Sequence, residues 1–357
     1  MTTQSGGEYV QHDALGKTRC WRRYRQWITS LVISLGFVTT CYGAGGDIIW
    51  QSGDSRTGKQ ESKAMAVDSL GNVIVTGYQN INGGADDDYL TVKFKADGSG
   101  VAWRATYDSS GGADQATAVA VDANNDVIVT GFTWNGLNFD IHTVKYSGNS
   151  GALLWQHTYS GAAGGDDHAT SIAIDTLDNI YVGGYSQGEA GDDDFLVLKY
   201  GPSGGAPVWQ AGYSGTAAGN DQLMSVTAGS DGIAVTGQAW NGTSFDLLTV
   251  KYDYGGTQLW MKNHSPGDAM GKKVRMDAAG NVIVTGFATN ATIKEIYTVK
   301  YRGSDGILLW DRSYGAGYEN DANGLTVDAA GDAYVTGYTW TLEGKENYYT
   351  ARYGGAT

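Results

Sequence analysis

The stretch Ala66-Val67-Asp68-Ser69-Leu70-Gly71-Asn72-Val73-Ile74-Val75-Thr76-Gly77 decides how this chain folds. A run of small and apolar residues leads into a turn whose Gly and Asn tolerate positive φ. A β-branched run ending in Thr-Gly then leaves the turn. That order is a β-hairpin. It returns as Val121-Asp122-Ala123-Asn124-Asn125-Asp126-Val127-Ile128-Val129-Thr130-Gly131, and again as Asp277-Ala278-Ala279-Gly280-Asn281-Val282-Ile283-Val284-Thr285-Gly286. The Thr-Gly or Gly-Gly pair ends at Gly77, Gly131, Gly184, Gly237, Gly286 and Gly337, 49 to 54 residues apart. Nine residues ahead of it stands Asp68, Asp122, Asp175, Asp277 or Asp328; the fourth copy has Ala228 there and a shorter turn, Ser230-Asp231-Gly232.

Working outward from the hairpin, each copy continues with a basic-aromatic pair: Lys93-Phe94, Lys145-Tyr146, Lys199-Tyr200, Lys251-Tyr252, Lys300-Tyr301 and Arg352-Tyr353. A tryptophan recurs at Trp50, Trp103, Trp155, Trp209, Trp260 and Trp310. Each copy therefore reads as four strands, which in the second copy are expected at residues 116–122, 127–133, 140–146 and 153–159. No amphipathic helical spacing occurs after residue 45. Four antiparallel strands repeating at this period make a propeller blade. The expected fold is all-β: a six-bladed β-propeller of four-stranded antiparallel blades. The last copy stops at Tyr353-Gly354 without its tryptophan strand, and the N-terminus begins with an orphan one, Gly46-Asp47-Ile48-Ile49-Trp50. Pairing the orphan with the last blade would close the ring and leave no open sheet edge there.

The pattern Ala-Val-Asp-x-x-Gly-Asn-Val-Ile-Val-Thr-Gly, followed by Lys-Tyr and Gly-x-Leu-Leu-Trp, resembles the SBBP propeller repeat of bacterial exported and surface proteins. The resemblance covers residues 46–357. It implies architecture and brings no common catalytic residues. The family name implies seven blades, whereas the copies here number six.

The first 44 residues differ in kind. Lys17, Arg19, Arg22, Arg23 and Arg25 precede an apolar run from Trp27 to Val38, and small residues follow at Thr39, Thr40, Gly43 and Ala44. This is the build of a signal peptide, too short to span a bilayer as an ordinary helix. Residues 1–44 are thus expected to be a leader and 45–357 a single propeller domain, secreted, periplasmic or on the cell surface. Val38-Thr39-Thr40-Cys41 faintly resembles a lipoprotein box, and Arg22-Arg23 a twin-arginine signal. Removing the leader's five bases and two acids takes the net charge from −14 to −17. Such a surface repels nucleic acid and anionic lipid and favours divalent cations. Cys20 and Cys41 both lie in the leader, so the domain is held by its core and not by disulfides. No transmembrane span is expected in it, and a monomer is the expected state.

Comparing the copies separates architecture from function. Residues present in every blade, such as the six outer tryptophans and the Asp68-type and Lys93-type pairs, are explained by blade packing, an ion pair or a turn cap. Asp122-Ala123-Asn124-Asn125-Asp126 has the look of a calcium loop but lacks the following glycine and occupies the ordinary turn position. The loops joining second to third strands, and fourth strands to the next blade, open on one face. An acid opens each inner strand there: Glu61, Asp114, Asp167, Asp221, Asp268 and Asp321. These six carboxylates either cap loop amides or surround the channel mouth and recruit a hard cation such as Ca²⁺. Trp134, Trp240 and Trp340 follow the Thr-Gly strand in blades two, four and six. Blades one and three carry acid triplets instead, Asp86-Asp87-Asp88 and Asp192-Asp193-Asp194. Aromatic rings beside carboxylates suit sugar binding, with Asp88 and Asp194 as hydroxyl acceptors; the same rings also serve as hydrophobic lids. His168 is the histidine on this face.

No Ser/His/Asp spacing, Cys/His cluster, phosphate loop or nucleotide fingerprint occurs. Blade five departs most from the others, with Lys272-Lys273-Val274-Arg275. Three classes stay open: a module binding glycan or protein, a pure scaffold, and an enzyme, for which the repeated Gly-x-x-x-Trp loosely resembles the docking motifs of quinoprotein dehydrogenases. No catalytic residue is assigned.

Overall fold

The computed structural model describes residues 10–12, 18–20 and 48–357, the last range apart from 54–57, 82, 84, 85, 110, 216, 266, 291, 318, 342, 356 and 357. The leader's apolar run, its cleavage zone and Cys41 lie outside the described residues. The chain divides into two units, 1–47 and 48–357. In the first, strands Val10–His12 and Thr18–Cys20 pair antiparallel. The second is all-β. Among the described residues no helix is long and apolar enough to cross a membrane.

Six antiparallel sheets follow one another along the second unit, and each is a blade of strands in sequence order. They occupy residues 59–107, 115–159, 167–213, 222–264, 269–314 and 320–353. The first five blades have four strands and the sixth has three. In blade two the strands are Gln115–Val121, Val127–Trp134, Phe139–Tyr146 and Leu153–Tyr159, within one residue of expectation at every boundary. The sixth sheet is completed neither by its own fourth strand nor by a described pairing with residues 48–50, which are not assigned to a strand. Trp50 instead packs beside Leu90, Val92 and Phe94, on the face of blade one turned away from blade two.

The Thr-Gly motif has a physical origin in every blade. The register of the inner strand against the second slips between Ser62 and Ala64, Ala116 and Ala118, Ala169 and Ser171, Leu223 and Ser225, Gly271 and Lys273, and Ala322 and Gly324. Each slip is a β-bulge that pushes one inner-strand carbonyl toward the second strand. A Cβ on Gly131 would run into the carbonyl of Gln115, and one on Gly286 into that of Met270. Glycine is required there to let the bulged backbone approach. The threonine before it points the other way and meets the third-strand threonine inside the blade, as in Thr76–Thr91, Thr130–Thr143 and Thr285–Thr298, each 2.9 Å apart.

The cores lie between blades. Ile74, Tyr89 and Trp103 of blade one pack with Ala116, Val127, Val129, Val144 and Tyr146 of blade two. Ile128 and Ile141 of blade two then pack with Ile180, Val182, Leu198 and Tyr200 of blade three. The same sharing continues through blades four, five and six. The sheets of blades two to five are therefore apolar on both faces, which is why their second and third strands read as almost unbroken apolar runs.

The turn ends of blades one, two, four and five hold an Asp–Lys pair beside the outer tryptophan. In blade three Asp175 accepts the Tyr181 hydroxyl and Lys199 donates to the Tyr254 carbonyl, and in blade six Arg352 pairs with Asp332. Asp68 Oδ1 accepts the amides of Leu70 and Asn72, while its Oδ2 pairs with Lys93 at 2.7 Å. Lys93 Nζ and Trp103 Nε1 both donate to the Gly148 carbonyl of the next blade, at 2.7 and 2.9 Å. Asp122–Lys145 and Asp277–Lys300 repeat the pair at 2.6 and 2.9 Å. Blade four, which lacks the acid at Ala228, supplies it from the shortened turn: Asp231 pairs with the buried Lys251 at 2.8 Å. The expected positive-φ turns are present, at Gly71, Asn125, Asp178, Gly280 and Gly331.

Candidate functional site

The opposite end carries the 2–3 loops and the interblade connections, and there the copies diverge. The six acids opening the inner strands are found chiefly on their own loops. Asp114 is fully buried. It accepts Ser109 N and Oγ at 2.7 and 2.9 Å, Thr133 Oγ1 at 2.5 Å and Trp134 N at 3.0 Å. Asp221 accepts the amides of Gly215 and Trp240. Asp167, also buried, accepts Gly161 N at 2.6 Å. Burial pushes the carboxyls of Asp167 and Asp221 up, and these hydrogen bonds partly offset it.

The remaining three acids differ. Glu61 is held down to about 2 by Lys63 and by the Tyr78 hydroxyl. Asp268 is exposed and accepts Phe245 N at 3.1 Å. Asp321 is buried between Lys272 and Lys294, at 2.5 and 2.8 Å. A carboxylate that accepts several amides, as Asp114 does, has most of its lone pairs used, whereas Asp167 Oδ1 and Asp321 Oδ1 are buried with no hydrogen-bond partner. The six are thus distributed among loop caps and local ion pairs.

The acid triplets and the tryptophans are brought together across blade junctions. At the junction of blades one and two, Gly112 N donates to Asp86 Oδ1 at 3.2 Å, and a Cβ on Gly112 would strike the Trp134 indole. At the junction of blades three and four, Gly219 N donates to Asp192 Oδ2 at 2.7 Å, and a Cβ on Gly219 would strike the Trp240 indole. Both glycines have positive φ, 142° and 155°. The middle acids are matched too. Asp87 takes Gln115 Nε2 at 2.7 Å and Asp193 takes Gln222 Nε2 at 2.6 Å. Each indole rests edge-to-face on a phenylalanine, Trp134 on Phe139 and Trp240 on Phe245, with centroids 5.1 and 5.0 Å apart. Both remain partly exposed. Two copies of one acid–glycine–tryptophan arrangement therefore stand on this face.

Trp340 is placed differently. It is 36% exposed, its amide donates to the Glu319 carbonyl, and its junction carries Lys294 against Asp321 where the other two carry acids. Asp88 and Asp194 lie half-buried at the start of third strands, Asp194 hydrogen-bonded by Ser214. The acids that share a partner with the tryptophans are Asp86 and Asp192, two residues before the expected pair. Gly112 and Gly219 escaped sequence reading; their signal is a glycine two residues ahead of the capping acid. His168 stacks on Tyr185 and packs against Phe132 and Phe139, and burial lowers its pKa. That is a packed neutral ring.

These sheets define a β-propeller assembled from one repeated blade. Residues 157–189 match the SBBP β-propeller repeat model, so the chain is a propeller protein carrying that repeat. No curated protein matches the sequence. Among solved structures it is similar to BamB from Moraxella catarrhalis, at 17% identity and a TM-score of 0.43 over 85% of this chain and 76% of that one. It is also similar to the β-propeller domain of the Trilobed protease from Pyrococcus furiosus, at 9% identity and a TM-score of 0.47 over 82% of each chain. A third similar structure is the quinohemoprotein alcohol dehydrogenase from Comamonas testosteroni, at 12% identity and a TM-score of 0.46, covering 82% and 60%.

Proposed function

We propose that this is an exported ligand-binding or adhesion propeller that takes glycan or protein on the loop face, at the two acid–glycine–tryptophan junctions. The observation that carries the reading is the duplication: Trp134 with Asp86 and Trp240 with Asp192 keep one geometry at two junctions, while the third diverges. A partly exposed indole covers the apolar face of a pyranose, and the neighbouring carboxylates accept its hydroxyls. The reading does not call on a cation at the six acids of the inner strands.

The chain is read as exported through residues 1–44, with residues 46–50 completing the sixth blade. Supporting this closure, Trp50 packs on Gly98 of blade one as Trp103 packs on Gly151 of blade two. The test is a glycan array followed by calorimetric titration of the positive sugar. The wild type should bind two equivalents, Trp134→Ala and Trp240→Ala one each, and the double variant none. Absence of any glycan or protein ligand, with both indoles serving as lids over Phe139 and Phe245, would leave the scaffold reading.

A further inference from the structure

Among the described residues, one group of three acids could hold a metal ion: Asp86, Asp88 and Asp108, with one carboxylate oxygen from each lying within 4.8 Å of the others. The internal copies show what is special about it. Asp86 and Asp88 correspond to Asp192 and Asp194 of blade three. Asp108, five residues after Trp103, corresponds to Ser214, five after Trp209; blades two, four and five have Ser160, Ser265 and Gly315 there. In blade three the serine hydrogen-bonds Asp194 and partly offsets the effect of its burial. In blade one a third carboxylate stands in that place. Burial first, then the charges of Asp108 and Asp86, push the Asp88 carboxyl up.

A second observation is independent of the charges. Gln79 stands opposite Asp88 in the strand ladder, where blade three has Ser186 opposite Asp194. Gln79 is 3% exposed, and its amide nitrogen donates to the Asp88 carboxylate, which holds the amide against the cluster. Its Oε1 is buried with no hydrogen-bond partner. An amide oxygen left unpaired in the interior is unfavourable, and a hard cation is the partner that three carboxylates and an amide oxygen have in common.

We propose that Asp86, Asp88 and Asp108, with the Gln79 amide oxygen, form a Ca²⁺ site at the loop end of blade one. The spacing admits the ion: oxygens within 4.8 Å of one another can share one Ca²⁺, whose opposite ligands lie about 4.6–5.2 Å apart, twice the Ca–O distance. Three carboxylates and an amide leave positions for water, as the usual six to eight oxygens require. Asp86 also accepts the Gly112 amide beneath Trp134, so the ion would fix that loop. The site is assigned without reference to the glycan reading, and its test contains no sugar.

The experiment titrates the full chain, freed of metal with EDTA, with CaCl₂ by calorimetry and with TbCl₃ by luminescence sensitised through nearby tyrosines. The wild type should bind one equivalent. Asp108→Ser, which installs the residue blade three uses, should weaken binding by about 10-fold or more through loss of one charged ligand. Gln79→Ser should weaken it less, and Asp192→Ser in blade three should leave it unchanged. Unaltered circular dichroism of Asp108→Ser shows that the loss is local. Absence of Ca²⁺ and Tb³⁺ binding in the wild type overturns the proposal. So does wild-type affinity in Asp108→Ser, or a loss of binding on Asp114→Asn that Asp108→Ser does not reproduce.

Discussion

Neutralising Asp277 tests whether the acid–base pair at the turn end of blade five is a buried structural device or an incidental contact. Asp277→Asn keeps the turn caps, because Oδ1 of either side chain can accept Ala279 N and Asn281 N. It replaces Oδ2, which faces Lys300 and accepts Asn281 Nδ2 at 3.0 Å, with a donor, so the charge and that hydrogen bond are lost together. The Lys300 side chain is 1% exposed against 6% for the acid. At 2.9 Å the attraction is about 6 kcal/mol at an effective dielectric of 20. Desolvation consumes much of that gain, but breaking such a pair from one side still costs about 3–5 kcal/mol by stranding a buried charge. Lys300 retains the Gly355 carbonyl at 2.9 Å, so the expected loss lies at the lower end, about 3 kcal/mol.

Blade four supplies the comparison. Asp231 is 51% exposed, and Lys251 keeps two carbonyls, Gly280 and Gly303. Asp231→Asn should therefore cost only about 1 kcal/mol. The double variant Asp277→Asn/Lys300→Met removes the stranded charge and should be more stable than Asp277→Asn alone. Urea unfolding followed by tryptophan fluorescence and circular dichroism, with unchanged m, measures these three variants, Lys300→Met alone and the wild type. Equal losses for Asp231→Asn and Asp277→Asn, or strict additivity of the two changes in the double variant, would refute the reasoning.

Other outcomes follow from the same geometry. Gly286→Ala, which drives a Cβ into the bulged Met270 carbonyl, should cost about 1–3 kcal/mol by urea midpoint, whereas Gly354→Ala, which meets nothing within 4 Å, should be near neutral. Acid should act on stability in two opposite senses, read as the urea midpoint from pH 8 to pH 3. The carboxyls of Asp68, Asp175 and Asp277 are pushed up by burial but held below the usual range overall by Lys93, Asn179 or Lys300 and by turn amides; their stabilisation is present above about pH 4 and lost as pH falls through the lower folded values. Asp88, Asp167, Asp194 and Asp221 are raised by burial, so they oppose folding while ionised and release that cost as pH falls through their raised values. The midpoint should rise on mild acidification before falling below about pH 4, and Asp194→Asn should flatten the rise. Deleting residues 46–53 should lower the melting temperature by exposing Gly98 and the Phe94 face that Trp50 covers; no change would argue against closure by this segment.

Most of the fold was legible because it is written six times. One hairpin sequence is ambiguous, but six copies with the same Asp, Thr-Gly, Lys-aromatic and Trp offsets admit one supersecondary unit. What escaped was whatever depends on a partner outside the copy. The break at Ala228 read as a defect, since sequence spacing does not show that Asp231 reaches Lys251 from the other side of a shortened turn. The Thr-Gly glycine read as a strand residue, because the carbonyl that excludes a Cβ belongs to a bulge on the neighbouring strand. The inner-strand acids left capping and cation binding both open, for their amide partners lie on loops whose course no periodicity predicts. The tryptophans and acid triplets were placed on one face, but their meeting through Gly112 and Gly219 joins different blades and turns on backbone φ.

The two ends of the blades obey different periods, and the difference has a physical cause. At the turn end the period is one blade, because each Lys and Trp reaches into the next blade's turn. Lys93 and Trp103 share the Gly148 carbonyl, and Lys251 and Trp260 share that of Gly303. A change in one copy strands a buried group in its neighbour, so the copies hold one another alike; where blade four departs, Asp231 restores the charge. At the loop end the period is two blades. Asp86 meets the loop before blade two and Asp192 the loop before blade four, with no equivalent pair between blades two and three among the described residues. These loops are joined by a few amides and an indole lying on a glycine, contacts that one substitution changes without opening an interblade core. Stability is thus concentrated where the copies agree. The surface free to specialise is where they differ, and it is there that Trp134, Trp240 and the Asp86–Asp88–Asp108 cluster stand.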